Sequence, residues 1–356
     1  MKKFLLSIVL IVVILIAGSL YFKNISPTLF SKSQADVISI VSSIASSAPR
    51  VASLLPLLKA KVIATTSITT SVTTSVTTSK PLVAAVATAP ILPTLAVLPS
   101  TSVLQGDPLM VVVNGAGTTS TSTVQKITFD DQSLDVMTYK SKPTAFIGID
   151  ISKKPGVYVL KMTLANGKIV QKNITVIARK ETVAPLGIPA SLGGNTPAAE
   201  TNLVHSLAAN NAILATLKSA AGAYWSADFQ FPVANPVVTD PYGYLRQTGA
   251  YEITHKGTDF QAPPGTPVMT INRGVVILVK DFYSYGNTII VDHGTGILSF
   301  YMHLSKVNVT QGQTVARGQV IGESGETGYA EGPHLHLTIR VNGVSIDPMK
   351  FMNFFK

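Results

Sequence analysis

The sequence predicts a mainly β protein with an N-terminal transmembrane helix, a small β-sandwich, a linker helix and a C-terminal antiparallel β domain. Three observations predict this architecture. Residues 4–22 form an uncharged apolar run. Residues 95–180 and 225–356 consist of short apolar runs bounded by turn residues, which is typical of strands. Between these regions, Pro197 to Ala221 carries apolar residues at helical spacing.

Residues 1–23 predict an export signal that stays in place as a membrane anchor. Lys2 and Lys3 precede the apolar run from Phe4 to Phe22, which is long enough to cross a bilayer as a helix. A cleavable signal peptide usually has a shorter apolar core. We therefore expect a single-pass protein of the cell membrane whose remaining residues lie on the outer, periplasmic or cell-wall side. Cleavage after the Ala17–Gly18 region, followed by secretion, is the alternative.

Residues 24–94 predict a spacer, because Ser, Thr and Ala dominate and large apolar side chains are too few to offset the entropy of ordering. A helix is expected within it at Val37 to Leu58. Residues 1–80 carry eight Lys or Arg against Asp36 alone, whereas residues 230–356 carry nine basic and nine acidic residues. Seven of the ten net positive charges therefore belong to residues 1–80, where they favour contact with anionic lipid or wall polymer. Nucleic acid is not an expected partner.

The absence of cysteine excludes disulfides, thiolate metal sites and a cysteine nucleophile. Residues 95–180 predict an immunoglobulin-like β-sandwich that serves as a spacer or binding module, and Asn166-Gly167 is a strong hairpin signal within it. Its candidate strands are Leu109 to Val113, Val124 to Phe129, Ala145 to Ile149, Val157 to Leu164 and Ile169 to Ile177. Residues 181–224 predict a linker and the helix, in which His205 has no partner of a metal-binding type.

Residues 225–356 contain strand-like runs separated by glycine-rich turns, and no long helix is expected there. The candidate strands are Gly274 to Val279, Asn287 to Val291, Ile297 to Tyr301 and Leu335 to Val341. This domain is therefore predicted to be predominantly antiparallel β. His293 follows one of these strands in a glycine-rich turn, where a structural role is expected.

Five of the six histidines lie in the last 102 residues. His255 and Asp259 flank Gly257 in a segment that we expect to be a loop leading into a strand. His334 and His336 point to one face if their segment is a strand, and His303 ends another apolar strand. A catalytic zinc takes three protein ligands from His, Asp and Glu. Four histidines and one aspartate therefore predict a metal site with residues to spare for proton transfer.

Residues 230–356 resemble the lysostaphin-type zinc peptidases, also known as the M23 or LytM-like family. The segments that carry the resemblance, in the order of the family, are Thr239 to Arg246, His255 to Phe260, Ala262 to Val268, Tyr285 to Asn287, Asp292 to Gly294, Tyr301 to Leu304, Val309 to Gln313, Ile321-Gly322 and Gly332 to His336. They cover nearly the whole C-terminal domain. The β-rich module followed by a linker helix is similar to the arrangement in many exported members.

The resemblance implies that His255, Asp259 and His336 are zinc ligands, one zinc per domain, and that His303 and His334 are the catalytic pair. It implies hydrolysis of peptide bonds in peptidoglycan stem peptides or cross-bridges. The bond that is cut, the division of labour between the two histidines and the oligomeric state stay open.

Some family members have lost zinc ligands and act as noncatalytic activators of other wall hydrolases. We expect an enzyme because all five positions are filled here, and a structural wall adaptor is a third reading. Leu337-Thr338 and Ala330-Glu331 depart from the residues usual in the family, which affects expectations about substrate detail. Arg246 and Asn287 are expected either to line the cleft or to be structural.

Overall fold

The structure, a computed structural model, describes residues 92–117 and 123–356. The expected membrane helix within residues 1–23, the helix expected at Val37 to Leu58 and almost all of the expected spacer lie outside these residues. Within the described part of the chain, no helix combines the length and the apolar character that crossing a membrane requires.

The first half of the described chain folds into two β-sheets. Their strands are β1 (Thr94–Leu98), β2 (Ser102–Leu104), β3 (Pro108–Asn114), β4 (Val124–Phe129), β5 (Gln132–Ser133), β6 (Met137–Tyr139), β7 (Lys142–Gly148), β8 (Gly156–Leu164) and β9 (Ile169–Ile177). One sheet has the order β1-β3-β7-β6, and the other has the order β2-β9-β8-β4-β5. Strands β8 and β9 form the hairpin that Asn166-Gly167 predicts.

One apolar cluster fills the space between these two sheets. Alternate residues of the long strands β3 and β8 face it, as the period of two requires. Val111 and Val113 of β3 and Leu160, Met162 and Leu164 of β8 are all buried in it. The two sheets therefore share one core, which is the arrangement of a sandwich.

The linker contains β10 (Val183–Pro185), a 3-10 turn (Ala190–Leu192) and helix α1 (Pro197–Ala215). The Thr196 side chain caps α1 by accepting a hydrogen bond from the backbone N–H of Ala199 at 3.3 Å. The helix ends at Ala215 rather than at Ala221 as expected. The reason is tertiary, because the Ser219 hydroxyl and the Ala220 N–H both donate to the Asp292 carboxylate at 2.5 and 2.9 Å. These bonds hold the following chain away from a helical path.

The second half of the described chain contains twelve strands, ten of which form one antiparallel sheet. Its elements are β11 (Val238–Asp240), β12 (Leu245–Thr248), β13 (Tyr251–Thr254), β14 (Thr258–Gln261), β15 (Pro267–Met269), β16 (Gly274–Phe282), β17 (Gly286–Gly294), β18 (Ile297–Val307), β19 (Thr314–Val315), β20 (Val320–Ser324), β21 (His334–Val341), β22 (Val344–Ile346), helix α2 (Pro348–Met352) and a 3-10 turn (Asn353–Phe355). Ten strands form this sheet, whose main path is β11-β14-β21-β18-β17-β16-β19. Strands β10, β12 and β13 make a small separate sheet.

Aromatic side chains join the two halves of the described chain. Tyr139 and Phe146 lie 5.3 and 6.1 Å from Trp225, measured between ring centroids. Phe146 also lies 5.8 Å from Phe351 of α2. These separations fall in the range that aromatic pairs prefer, and all four residues are buried. The sandwich therefore packs directly on the large sheet that carries the candidate site.

Candidate active site

Three neighbouring strands of the large sheet hold most of the predicted site. Strand β21 lies between β14 and β18. His336 on β21 stands directly opposite Asp259 on β14 and opposite Met302 on β18. His303 follows Met302, and His255 precedes β14 in the turn after β13. The sheet thereby assembles residues that are up to 81 positions apart in the chain.

The structure brings the three predicted metal ligands together. The Asp259 Oδ1 atom lies 2.7 Å from His336 Nδ1 and 3.2 Å from His255 Nε2, and the two imidazole nitrogens lie 3.1 Å apart. All three residues are buried. For comparison, ligand atoms about 2.0 Å from a tetrahedral zinc are separated by about 3.3 Å.

Hydrogen bonds on the outer side of this triangle fix the imidazole tautomers. His255 Nδ1–H donates to the Pro241 carbonyl at 2.9 Å. Thr338 donates its hydroxyl proton to the Lys256 carbonyl, so its oxygen accepts the Nε2–H of His336 at 2.8 Å. Both protons therefore point away from the triangle. Three unprotonated donor atoms face one another, and a cation between them removes their mutual repulsion, so the donor set fits a divalent metal.

The ionisation states of the site agree with this arrangement. Burial by itself raises the pKa of Asp259, but a proton on His255 or His336 in the metal-free site holds that pKa well below its ordinary value. Burial lowers the pKa of His336 to about 4, against the opposing pull of Asp259. An ionised carboxylate beside a neutral imidazole is the form in which both residues bind a metal.

Arg246 holds the second oxygen of the Asp259 carboxylate. Its Nη2 atom donates to Asp259 Oδ2, and its Nε atom donates to Asp240 Oδ2 at 2.8 Å. Because the guanidinium bridges the two carboxylates, Oδ1 of Asp259 is left to face the imidazoles. Of the two roles expected for Arg246, the structure thus shows a cleft residue that also orients a predicted ligand.

Gly257 allows the loop of His255 to approach β21. A Cβ atom at this position would stand 2.4 Å from His336 Nε2 and 2.6 Å from the carbonyl oxygen of Leu337. Real Cβ contacts are not that short, so any side chain here displaces a predicted ligand. Steric constraint therefore explains why a glycine lies between His255 and Asp259.

The predicted catalytic pair lies beside the triangle. The rings of His303 and His334 are 4.8 Å apart, and His334 Nε2 lies 3.8 Å from Asp259 Oδ1. Their Nδ1–H groups donate to the carbonyls of Thr327 and Gly332, both at 2.8 Å. Each ring therefore keeps an unprotonated Nε2 that can accept a proton.

His303 reaches this place through an irregularity in β18. Its φ angle is +62°, which is rare for a residue with a side chain, and the pairing of β18 with β17 shifts register at the same point. Such a bulge re-aims a side chain that a regular strand would send elsewhere. Burial, together with the neighbouring His334 and His336, lowers the pKa of His303 to about 3. The ring is thus neutral before reaction.

The remaining histidines stay outside the site, as the sequence predicts. His293 donates Nδ1–H to the Arg273 carbonyl at 2.9 Å and bonds Ser299 through Nε2 at 2.7 Å, so it is structural. His205 is exposed on α1. Asn287 donates to the Leu304 carbonyl at 3.0 Å and does not line the cleft, which makes it structural as well.

A cleft of about 370 Å³ opens beside the triangle. Its floor includes His336, Thr338 and Arg340, and helix α1 with the linker forms part of its wall. The helix is docked by Tyr285, whose hydroxyl donates to Asn211 at 2.9 Å. The sequence predicts no functional role for Tyr285, Asn211 or Arg340. Arg340 carries a sequence signal nonetheless, since it continues the alternation of His334, His336 and Thr338.

The fold and the site together present a candidate metal centre on an antiparallel sheet, with the buried imidazole of His303 and the partly buried imidazole of His334 beside it. Residues 253–348 match the family model of Peptidase family M23. This part of the chain is an M23 peptidase domain, which confirms the family that the sequence motifs resemble.

Individual relatives agree with this assignment. The peptidoglycan DD-endopeptidase ShyA of Vibrio cholerae serotype O1 is 47% identical over 96 residues, which are 27% of this chain and 22% of the relative. The DD-carboxypeptidase/endopeptidase Mpg of Neisseria meningitidis serogroup B is 36% identical over 119 residues, 33% of this chain and 27% of the relative. The chain thus matches only about a quarter of the length of these relatives.

A solved structure shares the fold over a larger part of the chain. A putative peptidase M23 from Pseudomonas aeruginosa superposes with a TM-score of 0.51 and 28% identity, covering 70% of this chain and 94% of that chain. The likeness therefore extends beyond the peptidase domain.

Proposed function

We propose that this protein is a zinc-dependent endopeptidase that hydrolyses peptide bonds in peptidoglycan stem peptides or cross-bridges. The observation that carries the proposal is the triangle of three unprotonated donor atoms on His255, Asp259 and His336. Two further imidazoles lie against it, as a metal hydrolase needs. The names of the relatives, peptidoglycan DD-endopeptidase and DD-carboxypeptidase/endopeptidase, support the substrate class.

His255, Asp259 and His336 are the residues that would hold the zinc. Zinc, when bound, supplies the Lewis acid that activates water and polarises the scissile carbonyl. The Nε2 atom of His303 or His334 accepts a proton from the attacking water, because both rings have Nδ1–H committed to backbone carbonyls. The ring that has accepted this proton can return it to the leaving amine, and the second ring, once it binds a proton at Nε2, can donate a hydrogen bond to the developing oxyanion.

A noncatalytic activator is not favoured. In such a protein the donor positions are incomplete, whereas here all three donors converge and both neighbouring imidazoles are present. A cell-wall adaptor role for the sandwich does not explain why three lone pairs are buried together, at a cost that only a bound cation offsets.

The test combines zinc content with mass spectrometry of digested muropeptides. Wild-type protein is expected to bind one zinc and to release new amino termini from purified walls, and His336→Ala is expected to lose both properties. His205→Ala is the matched control, because it removes an exposed imidazole outside the site. Products cut only in the glycan strands, or a His336→Ala variant with undiminished activity on walls, would contradict the proposal.

We further propose that residues 1–23 anchor the protein in the cytoplasmic-type membrane and that the two-sheet domain is an immunoglobulin-like spacer or binding module on the outer side. The apolar run of residues 4–22 and the basic residues near it support this placement. If residues 24–94 form the coil that their composition favours, roughly 70 residues would span on the order of 45 Å and give the enzyme reach into the inner wall.

Fractionation of cells tests this placement. The peptidase domain is expected in the membrane fraction, and protease added to cells with an opened wall is expected to digest it. A processed protein in the culture medium would instead indicate cleavage near Ala17–Gly18.

A further inference from the structure

The face of β21 that carries the catalytic residues extends to Arg340. His334, His336, Thr338 and Arg340 alternate along this strand, so they share one face. His336, Thr338 and Arg340 line the same cleft. Four strand positions separate His336 from Arg340, which corresponds to about 13 Å. An extended peptide of about four residues bridges that distance.

Only part of the hydrogen-bonding capacity of the Arg340 guanidinium is satisfied. Its Nη1 atom donates to the Leu214 carbonyl at 2.7 Å, and the group lies 4.6 Å from the centroid of the Phe300 ring. The Nε atom is buried without a hydrogen-bond partner, and Nη2 makes no hydrogen bond within residues 92–117 and 123–356. Because Nε is enclosed, Nη2 is the guanidinium nitrogen that remains available to a carboxylate in the cleft.

At this end of the cleft, Arg340 and Lys256 form no ion pair with another residue that the structure describes. Arg340 and Lys256 have no acidic partner within 4.0 Å among the described ion pairs, and Lys256 lines the same cleft. The carboxylates of Asp259 and Asp240 form ion pairs with Arg246. Asp150 shares an adjoining cavity with Lys256 and Arg340, where its carboxylate accepts hydrogen bonds from Ser152. The cleft also contains Glu252, which pairs with neither cation.

We propose that Arg340, with Lys256 beside it, binds a free carboxylate of the substrate while the scissile bond lies at the metal site. This inference rests on the proposed function, since stem peptides of peptidoglycan carry free carboxylates on γ-linked glutamate and at the terminal alanine. The Nη2 atom of Arg340 supplies a charge-assisted hydrogen bond, and Lys256 supplies a second positive charge. The carboxylate thereby sets the register of the peptide in the cleft.

Synthetic cross-linked stem peptides test the subsite with the full zinc-loaded chain. The peptides carry either all free carboxylates, an amide at the glutamate carboxyl, or an amide at the terminal carboxyl. Wild-type protein is expected to show a KM about tenfold higher for one of the two amides, the loss typical of a charge-assisted bond. Which amide is affected identifies the carboxylate that Arg340 binds.

Variants of Arg340 and Lys256 test whether the difference in KM between free and amidated peptides depends on these two cations. Arg340→Gln is expected to raise KM about tenfold for the free peptide and to abolish the difference between the free and amidated peptides, with zinc content unchanged. Lys256→Gln, at an exposed position, is expected to have the same selective effect at about threefold. Arg273→Gln is the matched control, because Arg273 also donates to one carbonyl, that of Tyr224, but lies outside the cleft.

The outcomes separate the subsite from the proposed function. If wild-type protein cleaves all three peptides with equal KM, or if Arg340→Gln and Lys256→Gln both keep the discrimination, the subsite is wrong. If zinc-loaded wild-type protein cleaves none of them, the proposed function fails. Calorimetric titration with the uncleaved peptides then decides the subsite, because weaker binding of one amide supports it and equal binding overturns it.

Discussion

The hydroxyl of Thr338 lies 2.8 Å from Nε2 of His336 and donates its own proton to the carbonyl of Lys256. The Thr338 oxygen can therefore only accept from His336, which places the imidazole proton on Nε2 and leaves Nδ1 unprotonated. Nδ1 is the atom that faces Asp259. A residue that departs from the family pattern thus determines which nitrogen of a predicted ligand is available to the metal.

Replacing this hydroxyl is expected to weaken zinc binding. Thr338→Val keeps the shape of the side chain but leaves the Nε2–H of buried His336 without an acceptor, so zinc affinity should fall by about 10- to 100-fold. Thr338→Ser keeps the hydroxyl and should stay close to wild type. Competition with a fluorescent zinc chelator measures both values. Equal affinities in the valine and serine variants would show that the hydroxyl does not position His336.

Arg246 is expected to act on zinc affinity through Asp259. Arg246→Gln leaves two carboxylates close together without their shared cation, so the carboxylate of Asp259 should lose its fixed orientation and zinc affinity should fall. Arg246→Lys keeps the charge but cannot bridge with the same planar geometry, so it should be intermediate. Arg317→Gln removes an exposed guanidinium that bonds the Asp228 carbonyl and serves as the control. The same chelator competition would refute the idea if all three variants matched wild type.

The sequence predicts those elements best whose local pattern and tertiary environment agree. Strands β4 and β9 begin and end where their apolar alternation and turn residues indicate. The loop of His255 and Asp259 and the strand of His334 and His336 were also foreseen, because glycine and the period of two are local signals. The convergence of these residues follows from the pairing of β14 with β21, for which the family resemblance was needed.

Features created by contacts between distant segments were not predictable in this way. Helix α1 ends early because the backbone N–H of Ala220, just after the helix, donates a hydrogen bond to Asp292, which lies far along the chain. The bulge at His303 depends on a register shift between β17 and β18. The docking of Asn211 against Tyr285 brings the helix to the cleft wall, and no spacing along the chain shows such a contact.

Acidification is expected to destabilise the metal-free protein through His293. Burial lowers the pKa of this imidazole from 6.5 to about 4 in the folded state. The unfolded chain therefore binds a proton that the folded chain excludes, and stability is lost as pH falls from 6.5 towards 4. Between pH 7 and pH 5 the contribution is on the order of 2 kcal/mol. Urea denaturation in the presence of a chelator measures the change.

Two variants assign this pH dependence to His293. His293→Gln keeps a donor and an acceptor but does not titrate, so its denaturation midpoint should fall less between pH 7 and pH 5. His205→Gln removes an exposed imidazole and should show the wild-type fall. An identical fall in all three proteins would place the titrating groups elsewhere, for example at His303 or His336, whose pKa values are also lowered.

His303 is expected to contribute to the chemical step and not to metal binding. His303→Asn suits the left-handed backbone at φ +62° but removes the ring nitrogen, so kcat should fall by about 10²- to 10⁴-fold while zinc content stays at one per chain. His303→Ala should lose the same activity and also about 1 kcal/mol of stability, because alanine is strained in this conformation. Steady-state rates on a cross-linked peptide, zinc analysis and urea denaturation separate these effects. Wild-type kcat in His303→Asn would remove His303 from the catalytic pair, and loss of zinc would make it part of the metal site.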